Sequence, residues 1–264
     1  MLLCKNKRLR KIGALIETGN LLSLKLLLRN RSAAAVFPGE IYRTYMGLVR
    51  EEKWSCRSVF EILPSGGRVR FEVEHIPSDV IVTPLEQLAC LALITRATKP
   101  KAIFEIGTFR GRTALNFALN APEDGKVYTL DLPLVGRDEA IDASCQADGS
   151  IIRESATGCD YRGSDVEPKI EQLFGDSRTF DFSPYYGGMD LVYIDGAHDY
   201  EAVRRDSEQA LRMLSPGGYV LWDEFCNYGD YHDVTRAVLD VVPKGKVIQV
   251  ENTQLAVYRK PETA

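Results

Sequence analysis

Residues 101–113 read KAIFEIGTFRGRT, and the order of residue types in this stretch decides the fold. Ala102 to Glu105 mix β-branched, apolar and aromatic character and predict a short buried strand. The glycine-bounded turn Gly107-Thr-Phe-Arg-Gly111 then leads into a helical pattern over Thr113 to Asn120. Strand, tight turn and helix form half of a nucleotide-binding crossover. A residue without Cβ lets the backbone bend sharply and approach a ligand, and the helix that follows aims free N–H groups at it. The expected ligand therefore carries an anionic group. Spacing excludes two common ligands: no glycine stands two positions after Gly107, as a dinucleotide fingerprint requires, and no Gly-Lys-Ser/Thr of a phosphate loop is present. Glu105, just before the turn, is ill suited to a polyphosphate. It suits a ligand that has both an ammonium and a carboxylate.

The pattern E-I-G-x-x-x-G over Glu105, Gly107 and Gly111 resembles motif I of the class I S-adenosylmethionine-dependent methyltransferases. The resemblance implies that Glu105, Gly107, Thr108 and Gly111 hold the methionine moiety of that cofactor. A second strand, Lys126 to Leu130, ends on Asp131, where an acid can accept hydrogen bonds from both ribose hydroxyls. This matches the family's second acidic position. Lys169 to Phe174 predicts a third strand, followed by Gly175-Asp176-Ser177. In the resembling enzymes a short acidic or hydroxylic pair here holds the adenine edge, which makes Asp176 and Ser177 candidates; capping of a helix is the plainer reading of the same pair.

A second constellation is MDLVYIDGAHDY, residues 189–200. Leu191 to Ile194 predicts a strand with Asp195, Gly196, Ala197 and His198 at its carboxyl end, where open α/β sheets place their ligand crevice. A helix over Tyr200 to Leu214 stops at Ser215-Pro-Gly-Gly218, and the next strand, Tyr219 to Trp222, runs into Asp223-Glu224. Carboxylates from two strand ends suit a hard cation such as Mg²⁺, which would lower the pKa of a substrate hydroxyl. His198 is of the right type to take the proton. The layout resembles the cation-dependent O-methyltransferases of the catechol type. Asp195 matches their first ligand and Asp223 their second; Glu224 stands where Asn is usual, and His198 falls where their base is ordinarily Lys. D-G-A-H-D-Y with S-P-G-G looks closest to the branch of sugar and antibiotic O-methyltransferases. The resemblance thus implies metal at Asp195, Asp223 and Glu224, catalysis by His198 and Asp195, and contact of Asp195 with the cofactor.

The remaining sequence sets the frame. The 264 residues suffice for one α/β domain plus an extension. Six scattered cysteines show no C-x-x-C pair and no zinc spacing, and predict reduced thiols in a cytoplasmic protein. Residues 1–60 hold twelve Lys or Arg against four Glu, while the chain as a whole is −4. Leucine- and isoleucine-rich stretches over 9–16 and 21–28 predict amphipathic helices, interrupted by Glu17 and Lys25 and so excluded as a membrane span or signal core. A cap that packs on the domain or on a second copy of the chain is the favoured role, with peripheral attachment to an anionic membrane as the other. Ser58 to Leu63 and Arg68 to Val73, around Pro64-Ser-Gly-Gly67, predict a hairpin, and Thr83-Pro84 opens a helix. The polar run 132–168 predicts a lid or substrate loop carrying part of a crossover helix. Near the end, 246–250 and 254–259 predict an antiparallel pair.

Together these readings predict an α/β protein with a doubly wound, seven-stranded, mostly parallel sheet, in the family order 3-2-1-4-5-7-6. A helical and hairpin cap would occupy 1–80 and the Rossmann-like domain 81–264. The expected activity is methyl transfer from S-adenosylmethionine to a hydroxyl of a small molecule or sugar. The rivals are a nucleic-acid methyltransferase, supported only by the basic amino-terminal region, and a non-catalytic binding or assembly protein. No N-P-P-Y-like motif or aromatic-basic stripe points to nucleic acid.

Overall fold

The computed structural model describes residues 54–63, 69–75, 83–133, 157–225 and 232–262. The expected amino-terminal helices, the boundary near residue 80 and most of the 132–168 insert lie outside these residues.

Alternation builds the sheet. Five parallel strands form its centre and one flank: β2 (Ala102–Ile106), β3 (Lys126–Asp131), β4 (Ile170–Phe174), β5 (Met189–Ile194) and β6 (Leu214–Trp222). Successive side chains point to opposite faces. Ile103, Leu191, Tyr193 and Leu221 join one core cluster with Leu91 and Ile94 of α2 (Leu85–Thr98) and Leu115 and Phe117 of α3 (Arg112–Asn120). Phe104 takes the other face, among Phe182 and Tyr185, and so does Trp222, whose Nε1 donates to Ser207 Oγ at 2.9 Å on α4 (Tyr200–Met213). α5 (His232–Val241) packs on α4. Helices thus cover both faces of the sheet, as short parallel crossovers require.

Where a crossover helix would join β4 to β5, the chain makes only a 3₁₀ turn, Ser183–Tyr185. Aromatic rings fill that space: Phe104 and Tyr185 centroids lie 4.9 Å apart, and Phe180 and Phe182 5.0 Å apart, both edge to face.

Among the described residues the sheet has eight strands rather than the expected seven, in the order β1-β7-β8-β6-β5-β2-β3-β4. β7 (Ile248–Val250) and β8 (Ala256–Arg259) form the expected antiparallel pair at the carboxyl end. The addition is β1 (Ser55–Arg57), parallel to β7 on its outer edge. The expected hairpin does not form. Ser58 instead caps a single helical turn, α1 (Val59–Ile62), in a capping box with Glu61, and residues 69–75 pair with no strand. Pro84, not Thr83, occupies the cap position of α2 and makes no side-chain bond; the Thr83 carbonyl accepts from Arg112 Nη2 at 2.9 Å. In the described part of the insert, 157–169, there are turns and a 3₁₀ turn at Glu167–Lys169 but no α-helix.

Residues 69–75 are held by α3 in another way. The amides of Asn116 and Asn120, one turn apart, each accept from and donate to the backbone: Asn116 to Glu74 at 2.9 and 3.0 Å, Asn120 to Glu72 at 2.9 and 2.8 Å. Asn120→Ala should therefore lower the unfolding free energy by about 1–3 kcal/mol in a urea titration, because it leaves Glu72 backbone groups unpaired. An unchanged midpoint would show that this segment is not held through the amide.

Candidate active site

The glycine turn is shaped by what lies beneath it. Gly107 has φ +101°, and a Cβ there would stand 1.9 Å from the Asp195 carbonyl oxygen, so only glycine lets the end of β2 meet the end of β5. The two strand ends are also tied by Asp195 N–H donating to the Ile106 carbonyl at 2.8 Å. Phe109, with φ +47°, takes a left-handed conformation that costs a side-chain-bearing residue energy. Asp131 offsets that cost: its Oδ2 accepts from Phe109 N–H at 2.7 Å, and its Oδ1 from Leu132 N–H at 2.7 Å. Gly111, at φ +84°, caps α3 and lies under the Tyr161 ring, which a Cβ there would meet at 2.5 Å. Residues 158–160 brace the same turn, with Gly158 N–H on the Phe109 carbonyl and Asp160 N–H on the Arg110 carbonyl.

Glu105 is fully buried on the α2/α3 face. Its Oε2 accepts from Thr129 Oγ1 at 2.5 Å, while Oε1 has no hydrogen-bond partner. Burial, and secondarily the Asp131 charge, push its pKa up to about 8, against the Thr129 bond. Thr108 points inward as well: its hydroxyl meets Thr129 Oγ1 at 2.6 Å and accepts from Gln172 Nε2 at 3.0 Å. That hydroxyl is thus bonded within the fold. Asp176 is bound by its neighbour Arg178 through both side chain and backbone, which holds its pKa below the usual range, and no helix follows for it to cap. Ser177 donates to Asp206 Oδ2 at 3.3 Å. Asp206 is buried with Oδ1 unpartnered, and burial raises its pKa to about 7.

The carboxyl ends of β5 and β6 form a cleft lined by Asp195, His198, Trp222, Asp223 and Glu224. Asp195, His198 and Glu224 each offer a ligand atom, all within 4.8 Å of one another. His198 Nε2 is ion-paired with Glu224 Oε2, a buried atom that has no other polar partner. Glu224 has φ +54°, a strained conformation of the kind that gathers at functional sites. Burial and the charges of Asp223 and Glu224 raise the pKa of Asp195 well above the carboxylate range.

Asp223 departs from the set expected of Asp195, Asp223 and Glu224. Its Oδ2 accepts from Tyr193 OH at 2.8 Å, and its Oδ1 from Gln87 Nε2 and from Glu224 N–H. The cluster takes His198 in its place, although the sequence reading gave that residue the part of a base. Nothing in the local pattern pointed to Gln87, Tyr193, Tyr161 or Asp206. His75 is ion-paired with Asp160 at 4.0 Å, and His232 is exposed at the start of α5. Among the described residues Cys90 and Cys159 are free thiols.

Residues 104–225, which span the glycine turn and both acidic strand ends, match a family model described as a methyltransferase domain. Over that stretch the chain is similar to methyltransferase domains. Its curated relatives include caffeoyl-CoA O-methyltransferase of Zinnia elegans, 23% identical over 70% of this chain and 58% of the relative. Catechol O-methyltransferase domain-containing protein 1 of Mus musculus is 28% identical over 67% of this chain and 55% of the relative. The chain thus spans a little over half the length of these relatives. Among solved structures, cofactor-bound Rv0187 from MTB shares the fold at a TM-score of 0.50 and 18% identity, covering 70% of this chain and 83% of that one.

The raised pKa of Glu105 makes stability depend on pH. Folding favours its protonated form, so the contribution of this group is fully present below about pH 4.5 and is lost as pH rises to about 8. Glu105→Gln in the ligand-free protein should therefore gain stability over the wild type between pH 5 and pH 8, by about 2–4 kcal/mol in denaturant titrations. A gap that does not change with pH would show that Glu105 is charged in the fold.

Proposed function

We propose that the chain transfers the methyl group of S-adenosylmethionine to a hydroxyl oxygen of a small molecule or sugar. The observation that carries this reading is the direct contact of Gly107 with Asp195, which brings the cofactor turn against the cluster of Asp195, His198 and Glu224. A methyl donor lying on that turn would have its reactive carbon beside the groups able to receive a hydroxyl. Holding donor and acceptor in line is itself a large part of the catalysis.

In this reading the backbone of the Gly107–Gly111 turn and the amino end of α3 meet the methionine carboxylate, and Glu105 Oε1, buried without a partner, faces the ammonium. Asp131 keeps lone pairs for the ribose hydroxyls while it clamps Phe109. Ser177 is the stronger adenine candidate, since Asp176 is bound by Arg178. The chemistry of the cluster, two carboxylates and an imidazole on converging strand ends, fits a divalent cation. When bound, such a cation would lower the pKa of the acceptor hydroxyl. The O-methyltransferases among the relatives favour oxygen as the atom methylated. The 69–75 segment and the described part of the insert, both set beside α3 and the turn, would help exclude water.

Calorimetric titration with S-adenosylhomocysteine, followed by transfer assays on a panel of phenolic and sugar hydroxyls, tests this function. His198→Ala should leave affinity for that nucleoside within about threefold and lower turnover about a hundredfold or more. Loss of binding and turnover together would make His198 structural, and no binding by the wild type would remove the proposal.

A further inference from the structure

We infer that His198 is a cation ligand in place of Asp223, and that the site therefore selects a transition-metal dication such as Co²⁺, Fe²⁺ or Zn²⁺ over Mg²⁺. The inference deepens the proposed hydroxyl methylation by naming the metal class at the same site, and it depends on geometry rather than on that activity.

Two independent features converge. First, the three donor atoms that come within 4.8 Å of one another are a carboxylate oxygen of Asp195, a ring nitrogen of His198 and a carboxylate oxygen of Glu224. Mg²⁺ binds oxygen at near-ideal octahedral geometry and keeps much of its water, whereas imidazole suits the later divalent metals. Second, Asp223, which would make the set all oxygen, is drawn off by groups from two other elements. Tyr193 OH on β5 donates to its Oδ2, and Gln87 Nε2 on α2 donates to its Oδ1. Gln87 is itself fixed, since its Oε1 accepts from Gln254 N–H at 3.0 Å. Turning Asp223 toward His198 would take the acceptor from the buried Gln87 amide, at a cost of about 1–3 kcal/mol, and leave the Tyr193 hydroxyl only its longer bond to Asp195 Oδ2 at 3.3 Å.

His198 and Glu224 are poised for such an ion. Their Nε2 and Oε2 atoms face each other in the cleft, the imidazole on the loop after β5 and the carboxylate on the residue that follows Asp223. Glu224 holds a left-handed backbone conformation to bring its carboxylate there. These two side chains, with the Asp195 carboxylate, are the residues that would hold the ion.

Almost any site binds Co²⁺ more tightly than Mg²⁺, so the preference of the wild type alone decides nothing. The measurement is the ratio of Co²⁺ to Mg²⁺ affinity in the full-length protein, from calorimetric titrations and from the visible absorption of bound Co²⁺. It is compared in the wild type, in His198→Asp and in Asp223→Asn. The proposal expects the ratio to fall at least tenfold in His198→Asp, with a changed Co²⁺ spectrum, and to stay within about threefold in Asp223→Asn. Parallel titration with S-adenosylhomocysteine confirms that each variant is folded.

An unchanged ratio and spectrum in His198→Asp, or loss of Co²⁺ binding in Asp223→Asn with nucleoside binding intact, would overturn the ligand assignment. A near-ultraviolet thiolate band would place Co²⁺ on cysteine and overturn it as well. If the wild type binds the nucleoside but no cation, the metal proposal fails and the methyltransferase reading stands. If it binds neither, both fail.

Discussion

The site depends on one missing side chain. Without a Cβ at Gly107, the turn after β2 rests on the Asp195 carbonyl, and the ends of two neighbouring parallel strands become one surface. Any larger residue would have to push those ends apart by more than an ångström. The Gly107–Gly111 turn on one side and the Asp195–His198–Glu224 cluster on the other are adjacent because of that contact. Around it the chain spends considerable local energy. Phe109 and Glu224 both hold left-handed conformations, and Glu105 and Asp206 are buried acids, each with an oxygen left without a partner. Strain and unpartnered buried oxygens of this kind persist only where surrounding packing enforces them. Here the enforcement comes from the strand pairs, the Asp131 clamp and the Tyr161 ring over Gly111.

Local patterns were legible in the sequence, and long-range partnerships were not. The strand, turn and helix around residues 101–120 follow from neighbours along the chain, and the strand-end acids at 195, 223 and 224 follow from alternation and the turns behind them. The three-residue strand β1 could not be read in this way. Nothing in Ser55–Arg57 is strongly β-forming, and its existence rests on residues 248–250 far along the chain. The hairpin expected over 58–73 gave weight to the Pro-Ser-Gly-Gly turn and overlooked S-x-x-E at Ser58 and Glu61, a helix-start signal visible in the sequence.

The site residues divide along the same line. Sequence position put Asp223 among metal ligands because it ends a strand beside the cleft. Which way its carboxylate turns is decided by Gln87 and Tyr193, one from a helix far upstream and one from the next strand. The inward turn of Thr108 likewise reflects Gln172 and Thr129 on β4 and β3. A motif names the residues that reach a site, but their partners across the fold decide which atoms remain available to a ligand.

The paired amides of Asn116 and Asn120 treat a peptide segment as a sheet treats a new strand, through its main chain alone. The segment is thereby held mainly through its main chain, and the Glu72 carboxylate adds only an exposed 4.0 Å pair with Arg96. Sequence drift should be tolerated at 72 and 74, and resisted at the two helical positions and at Phe71, which packs on the core. An exposed, irregular piece of chain would then owe its course to residues that a survey of the piece itself would never flag.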